Sequence, residues 1–126
     1  MNTLPVAPAA TEYLYRKASA AGLPLSGTFE LTPVCNMDCK MCYVRMSRSA
    51  QEAIAPLKGA SQWLALAQEA KDAGMLYLLI TGGEPLLYPE DVCKIHKAAK
   101  ETGIPQREMI TNGYFSKDKK RIAEVA

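Results

Sequence analysis

Three cysteines fall within eight consecutive positions, Cys35, Cys39 and Cys42, in a C-x3-C-x2-C spacing. They sit in the stretch Leu31-Thr32-Pro33-Val34-Cys35-Asn36-Met37-Asp38-Cys39-Lys40-Met41-Cys42-Tyr43. Pro33 cannot donate a ladder hydrogen bond, so a strand entering this stretch ends there and the cysteines occupy a loop. Loop residues this close together can turn three thiolates toward one point. Thiolates are soft ligands that select zinc, copper(I) or iron–sulfur clusters. A 4Fe–4S centre ordinarily takes four cysteine thiolates, so three would leave one iron without a protein ligand. An open coordination position is what a catalytic metal needs and a structural one lacks. The same spacing is open to a zinc knuckle, or to three reduced cysteines that are merely neighbours.

The rest of the chain alternates helix and strand signals around that loop. Residues 1–27 read as an N-terminal arm and helix. The first ten are rich in Pro and Ala, Thr11 is placed to cap a helix reaching about Ala21, and Gly22 supplies a left-handed stop. Tyr13, Leu14, Ala18 and Ala21 are its expected apolar stripe. Thr28 to Thr32 alternates, with Phe29 and Leu31 on one face, and reads as strand one. Arg45 to Gly59 has no readable period and is expected as a long connector that folds over a ligand, with Arg45 and Arg48 either meeting a carboxylate or phosphate or standing as solvated surface charges. Ser61 is the expected cap of a helix that buries Leu64, Ala67 and Ala70 beside Trp63 and ends at Gly74.

Met75 to Ile80 is a continuous apolar run without helical period, which fits a strand buried on both faces of a parallel sheet. Pro89 suits the first position of the next helix, whose inner stripe is Val92, Ile95 and Ala99. Arg107 to Thr111 reads as a third strand. Ser116 is placed to cap a lysine-rich helix with Ile122 and Val125 facing inward. The order βαβαβα calls for an α/β fold with parallel strands joined by right-handed crossovers.

Ligands in such folds sit at the carboxyl ends of the strands. The cysteine loop follows strand one, and Gly82-Gly83-Glu84 follows strand two. The two glycines permit a close backbone approach to a ligand. Glu84 suits an ammonium ligand, or the dipole at a helix N-terminus. Asn112 suits a ligand cleft after strand three, or the turn before Gly113. Tyr43 suits a shield over a bound cluster, or a core or rim aromatic.

Taken together, the cysteine spacing, Thr81-Gly82-Gly83-Glu84-Pro85 and Thr111-Asn112-Gly113 resemble the radical S-adenosylmethionine (SAM) enzymes over residues 28–126. The resemblance implies a partial (β/α) barrel with three parallel βα units present here, so that residues 28–126 form the N-terminal part of a core domain. It implies a 4Fe–4S cluster on Cys35, Cys39 and Cys42, with SAM chelating the open iron through its amino and carboxylate groups. Gly82, Gly83 and Glu84 would contact the SAM amine, with Asn112 and Tyr43 beside the ligands. Reductive cleavage of SAM would then give a 5′-deoxyadenosyl radical that abstracts hydrogen from a substrate, of peptide or cofactor-precursor class. An electron donor such as flavodoxin or ferredoxin is implied as a partner. Met41 departs from the family, which usually has an aromatic residue there.

The main rival is a zinc or ferredoxin-like module completed by Cys93 and His96, which share a helix face. Against it, that helix is expected to pack outside the sheet, with Cys93 as a small buried hydrophobe and His96 on the surface. Met37, Met41 and Met46 are expected to pack around the loop. A net charge of +2 over 126 residues leaves no basic footprint for nucleic acid. No apolar run is long enough to span a membrane, and the first ten residues lack the pattern of a secretory signal. Three clustered cysteines with the fourth far away argue for a reducing cytoplasm. Strand three carries no edge protection, so the chain reads as a fragment of a larger barrel, aggregation-prone and inactive alone.

Overall fold

The computed structural model describes residues 10–114. Helix α1 (Ala10–Ala20) leads into strand β1 (Ser26–Glu30). After the cysteine loop come α2 (Arg48–Ile54), α3 (Ala60–Asp72), β2 (Tyr77–Thr81), a 3-10 turn (Pro85–Leu87), α4 (Pro89–Glu101) and β3 (Gln106–Met109). The three strands form one parallel sheet in the order β1-β2-β3, with β2 in the middle. This is the α/β architecture expected, built as βα units. The expected helix beyond Ser116, with Ile122 and Val125, lies outside the described residues, as does the arm before Ala10.

Register explains which face is the core. Phe29, Ile80 and Met109 lie side by side, as do Gly27, Leu78 and Arg107. These point toward α3 and α4, where Leu78, Ile80, Ala67, Val92, Ile95, Ala99 and Ile104 are buried in one cluster. The Val92, Ile95 and Ala99 stripe on α4 is as expected. On α3 the contact falls to Ala60, Trp63, Leu66, Ala67 and Ala70, with Trp63 tilted over Phe29 at 4.9 Å between ring centroids. Leu64 is half-buried outside that cluster.

The opposite sheet face is less covered. Leu78 and Ile80 are buried, whereas Tyr77, Leu79 and Thr81 are only half-buried. The apolar run of β2 is therefore fully buried on one face rather than two, because α3 and α4 both pack on the same side. Met75 belongs to the stop of α3 instead of the strand. Its N–H reaches back to Ala70 O at 2.9 Å while Gly74 takes φ 107°, the six-to-one bond of a Schellman stop. Gly103 repeats the device after α4, with Ile104 N–H on Ala99 O at 3.0 Å.

Several helix starts differ from expectation. Thr11 lies inside α1, and that helix leaves Tyr13 and Leu14 exposed with Ala18 as its buried residue. The start of α3 is fixed by Gly59, whose N–H donates to Gln62 Oε1 at 3.0 Å, not by Ser61. The connector after Arg45 contains a helix of its own, α2, because Ser47 Oγ accepts the Ala50 N–H at 3.2 Å as an N-cap.

Candidate cofactor site at the carboxyl ends of the strands

The cysteine loop leaves the sheet in two steps. Leu31 N–H still pairs with Thr81 O at 2.9 Å, and the buried Thr32 then accepts the Val34 N–H on its Oγ1 at 3.0 Å. The far end of the loop returns to the same place. Met46 N–H donates to Pro33 O at 2.9 Å, and Val34 and Met46 form an isolated parallel bridge. A loop whose ends meet like this is of the Ω type. Inside it, Cys42 N–H donates to Cys39 O at 3.0 Å. Arg45 is at the surface as expected and pairs there with the exposed Asp38 at 3.0 Å, contributing about 0–1 kcal/mol. Arg48 lies over the Tyr88 ring.

All three cysteines are free thiols, Cys35 half-buried and Cys39 and Cys42 exposed. Among the described residues no three Cys, His, Asp or Glu side chains are gathered closely enough to hold a metal. The convergence of sulfurs expected from the spacing is thus not formed by the chain alone. The donor set nevertheless fits a cluster: three unpaired soft ligands on one solvent-facing loop whose ends are fastened. Met41 is 88% exposed, and Met37 and Met46 are exposed too, so these methionines do not pack around the loop as expected. Tyr43 is 87% exposed and donates its hydroxyl to Glu30 Oε1 at 3.2 Å. That hydrogen bond and the Glu30 charge raise the phenol above its ordinary pKa.

The turn after β2 is pressed against the base of this loop. Glu84 N–H donates to Val34 O at 3.0 Å, and Gly83 N–H to Thr32 O. A Cβ on Gly83 would run into the Val34 carbonyl and come within 2.8 Å of Pro33 O. One on Gly82, which holds φ 143°, would run into Thr32 O and meet Thr32 N at 3.1 Å. The close approach that these glycines permit is therefore first of all to the chain's own Thr32–Val34 backbone.

Glu84 itself is 0% exposed. Its Oε1 accepts the Leu86 N–H at 2.9 Å and the Thr111 hydroxyl at 2.8 Å, and its Oε2 accepts the Asn112 N–H at 2.8 Å. A buried carboxylate is tolerable only with such partners, and an acceptor-only group suits three donors. The carboxylate expected to face a ligand ammonium is thus engaged by its own chain. Asn112 carries the connection onward. Its Nδ2 donates to Asn36 Oδ1 at 2.9 Å and lies 3.7 Å from Cys35 Sγ, and its Oδ1 accepts the Tyr114 N–H at 2.8 Å. Asn36 in turn donates to Tyr114 O, and Cys35 Sγ also accepts the Met37 N–H at 3.4 Å.

The three strand-end loops thereby close a ring: cysteine loop to β2 turn, β2 turn to β3 turn, β3 turn back to the cysteine loop. Sequence reading placed Cys35, Glu84 and Asn112 at one end of the sheet and missed Thr32, Asn36 and Thr111 as the connectors. Thr111 was visible in the Thr-Asn-Gly motif, whereas Asn36 occupies an unspecified position of the cysteine spacing and carries no signal. Cys93 is exposed on α4 rather than buried. His96 is half-buried, with burial first and then the Arg107 charge lowering its pKa. Neither joins a metal-holding group among the described residues.

Known proteins share sequence with most of this chain. The family model described as the radical SAM superfamily matches residues 29–126. A Sulfolobus acidocaldarius protein named "Probable GTP 3',8-cyclase" is 34% identical over 88 residues, covering 70% of this chain and 26% of the relative. The counterpart of the same name in Saccharolobus solfataricus is 32% identical over 88 residues, covering 70% and 27%. The sporulation killing factor maturation protein SkfB of Bacillus subtilis is 29% identical over 90 residues, covering 71% and 19%. The chain spans about a quarter or less of the length of these curated relatives. With the cysteine loop, the Gly-Gly-Glu turn and the Thr-Asn-Gly turn all inside the matched stretch, the chain belongs to the radical SAM superfamily.

Proposed function

We propose that Cys35, Cys39 and Cys42 hold a 4Fe–4S cluster, and that this part of the protein binds SAM beside it for reductive cleavage. The observation that carries the reading is the joining of three free thiols, on a loop fastened at both ends, to the Gly82–Glu84 and Thr111–Asn112 turns at one end of a parallel sheet. When bound, the cluster would pass one electron to SAM and so generate the 5′-deoxyadenosyl radical that abstracts hydrogen from substrate. The chain's own work is to hold and orient. Gly82 and Gly83 seat the β2 turn against Thr32–Val34, and Glu84 and Asn112 fix the β3 turn beside Cys35. Tyr43 stands at the rim on Glu30. The exposed Met37, Met41 and Tyr43 are apolar surface that bound ligands would cover.

The relatives' names point to different targets, GTP and a killing factor, over a similar short share of their lengths. We therefore assign the cofactor side to this stretch and substrate choice to residues beyond the match, with a peptide or a cofactor precursor as the substrate class. Electron supply would come from a donor such as flavodoxin or ferredoxin. Four free cysteines suit a reducing cytoplasm, and no helix among the described residues is long and apolar enough to cross a membrane.

The test is anaerobic reconstitution with iron and sulfide. The chain should take up both in equal amounts, Cys35→Ala, Cys39→Ala and Cys42→Ala should each lose them, and Cys93→Ala should load normally. Tight zinc with no iron, or a requirement for Cys93, would overturn the reading in favour of a closed structural site.

A further inference from the structure

We propose that Glu84 is a positioning residue: it orients the Cys35 thiol through Asn112 and Asn36, instead of contacting a ligand itself. The proposal rests on the function assigned above only in taking Cys35 as a ligand. The geometry stands alone. Glu84 is wholly buried, and its three hydrogen bonds run to Leu86, Thr111 and Asn112. No ion pair reaches it among the described residues. A group meant to meet a ligand's ammonium would have a carboxylate oxygen open to the cleft, and Glu84 is 0% exposed. Here Oε2 holds the backbone of Asn112, and the side chain of that same residue lies on Asn36 and beside Cys35 Sγ. One carboxylate thus fixes the backbone of the residue whose amide fixes the first cysteine. Cys39 and Cys42 have no such tether among the described residues.

The two ideas predict different residues to matter. A direct ligand contact by Glu84 would be indifferent to Asn36. In the relay, removing Glu84's charge, Asn112's amide or Asn36's amide should free Cys35 alike, and a second cut should add nothing to the first.

The test uses the metal-free chain, where Cys35 can be followed by itself. Iodoacetamide labelling under reducing conditions, read site by site by mass spectrometry, compares Cys35 with Cys39, Cys42 and Cys93 as internal controls. Losing a hydrogen bond to a charged group shifts an equilibrium by about tenfold or more, so Glu84→Gln should speed Cys35 labelling by about that factor. The control cysteines should keep their rates. Asn112→Ala and Asn36→Ala should reproduce the effect, Thr111→Ser should preserve the slow rate, and Glu84→Gln combined with Asn112→Ala should be no faster than Asn112→Ala alone. If Glu84→Gln leaves Cys35 labelling unchanged, or adds its full effect on top of Asn112→Ala, the relay is wrong. If all four cysteines speed up together in Glu84→Gln, the Asn112→Ala and Asn36→Ala rates decide, and normal Cys35 labelling in both overturns the proposal. A chain that shows the relay but takes up no iron would contradict the cluster assignment and leave the relay standing. The reverse result would do the opposite.

Discussion

Replacing Gly83 by alanine should destabilise the chain far more than its half-buried turn position suggests. An ideal Cβ there meets the Val34 carbonyl and comes within 2.8 Å of Pro33 O, all of it backbone. Neither segment can yield cheaply, because Glu84 N–H is bonded to Val34 O at 3.0 Å and Met46 N–H to Pro33 O at 2.9 Å. Overpacking costs about 1–3 kcal/mol, and an all-backbone collision belongs at the upper end. Gly82→Ala combines a collision with Thr32 O with a φ of 143°, adding strain of about 1–3 kcal/mol. Gly113 holds φ 73° but a Cβ there meets nothing within 4 Å among the described residues, so Gly113→Ala isolates the strain alone, about 1–2 kcal/mol. The expected order of loss is Gly82, then Gly83, then Gly113. Pulse proteolysis in urea measures it at low protein concentration. With a slope of about 1–3 kcal/mol/M, a loss of about 3 kcal/mol means Gly83→Ala should lower the midpoint by roughly 1–3 M. A Gly83→Ala midpoint no lower than that of Gly113→Ala would show that the β2 turn and the cysteine loop are not in backbone contact.

Two further outcomes follow from the charges. Tyr43 titrates above its ordinary value because it donates to Glu30, so Glu30→Gln should move its ultraviolet titration down toward about 10; an unmoved curve would place Tyr43 elsewhere. His96 is held below its ordinary value of 6.5, first by burial and then by Arg107. The unfolded chain therefore binds more protons than the folded one around that pH, so the contribution is fully present above the unfolded value and is lost as pH falls through it toward the folded one. Urea midpoints from pH 7.5 down to pH 5 should fall more steeply in the parent than in His96→Gln, and parallel slopes would refute the placement of that ring.

How far the sequence carried the fold depended on whether a signal was local. The α4 stripe, the stop at Gly74 and the parallel order of the three strands all rest on short-range patterns, and they appear as read. The same periodicity that chose Val92 and Ile95 also turns Cys93 away from the core, so its exposure was legible and was misjudged on residue type. Helix α2 escaped notice because it has seven residues and no apolar stripe, and its start hangs on the Ser47 hydroxyl. That Cys35, Glu84 and Asn112 share one end of the sheet was legible, but not the bonds that link them. Glu84 beside two glycines looks like a group offered to a ligand. Its bond to Leu86 is the local helix-start role also open in the sequence, but its other two partners lie 27 and 28 residues further on, a separation over which one sequence gives no pairing information. The glycines were likewise read toward a ligand when their nearest neighbours are Thr32 and Val34.

Three protein thiolates on four irons leave one iron chemically distinct, and the central claim is that SAM occupies that position. Mössbauer spectroscopy of the chain reconstituted with iron-57, recorded without and with SAM, addresses this directly. The expected result is a cluster in which SAM shifts the parameters of one iron of the four and leaves the others unchanged. Spectra identical with and without SAM, from a cluster whose irons are all alike, would mean that the loop carries a closed electron-transfer centre and would contradict the function proposed for it.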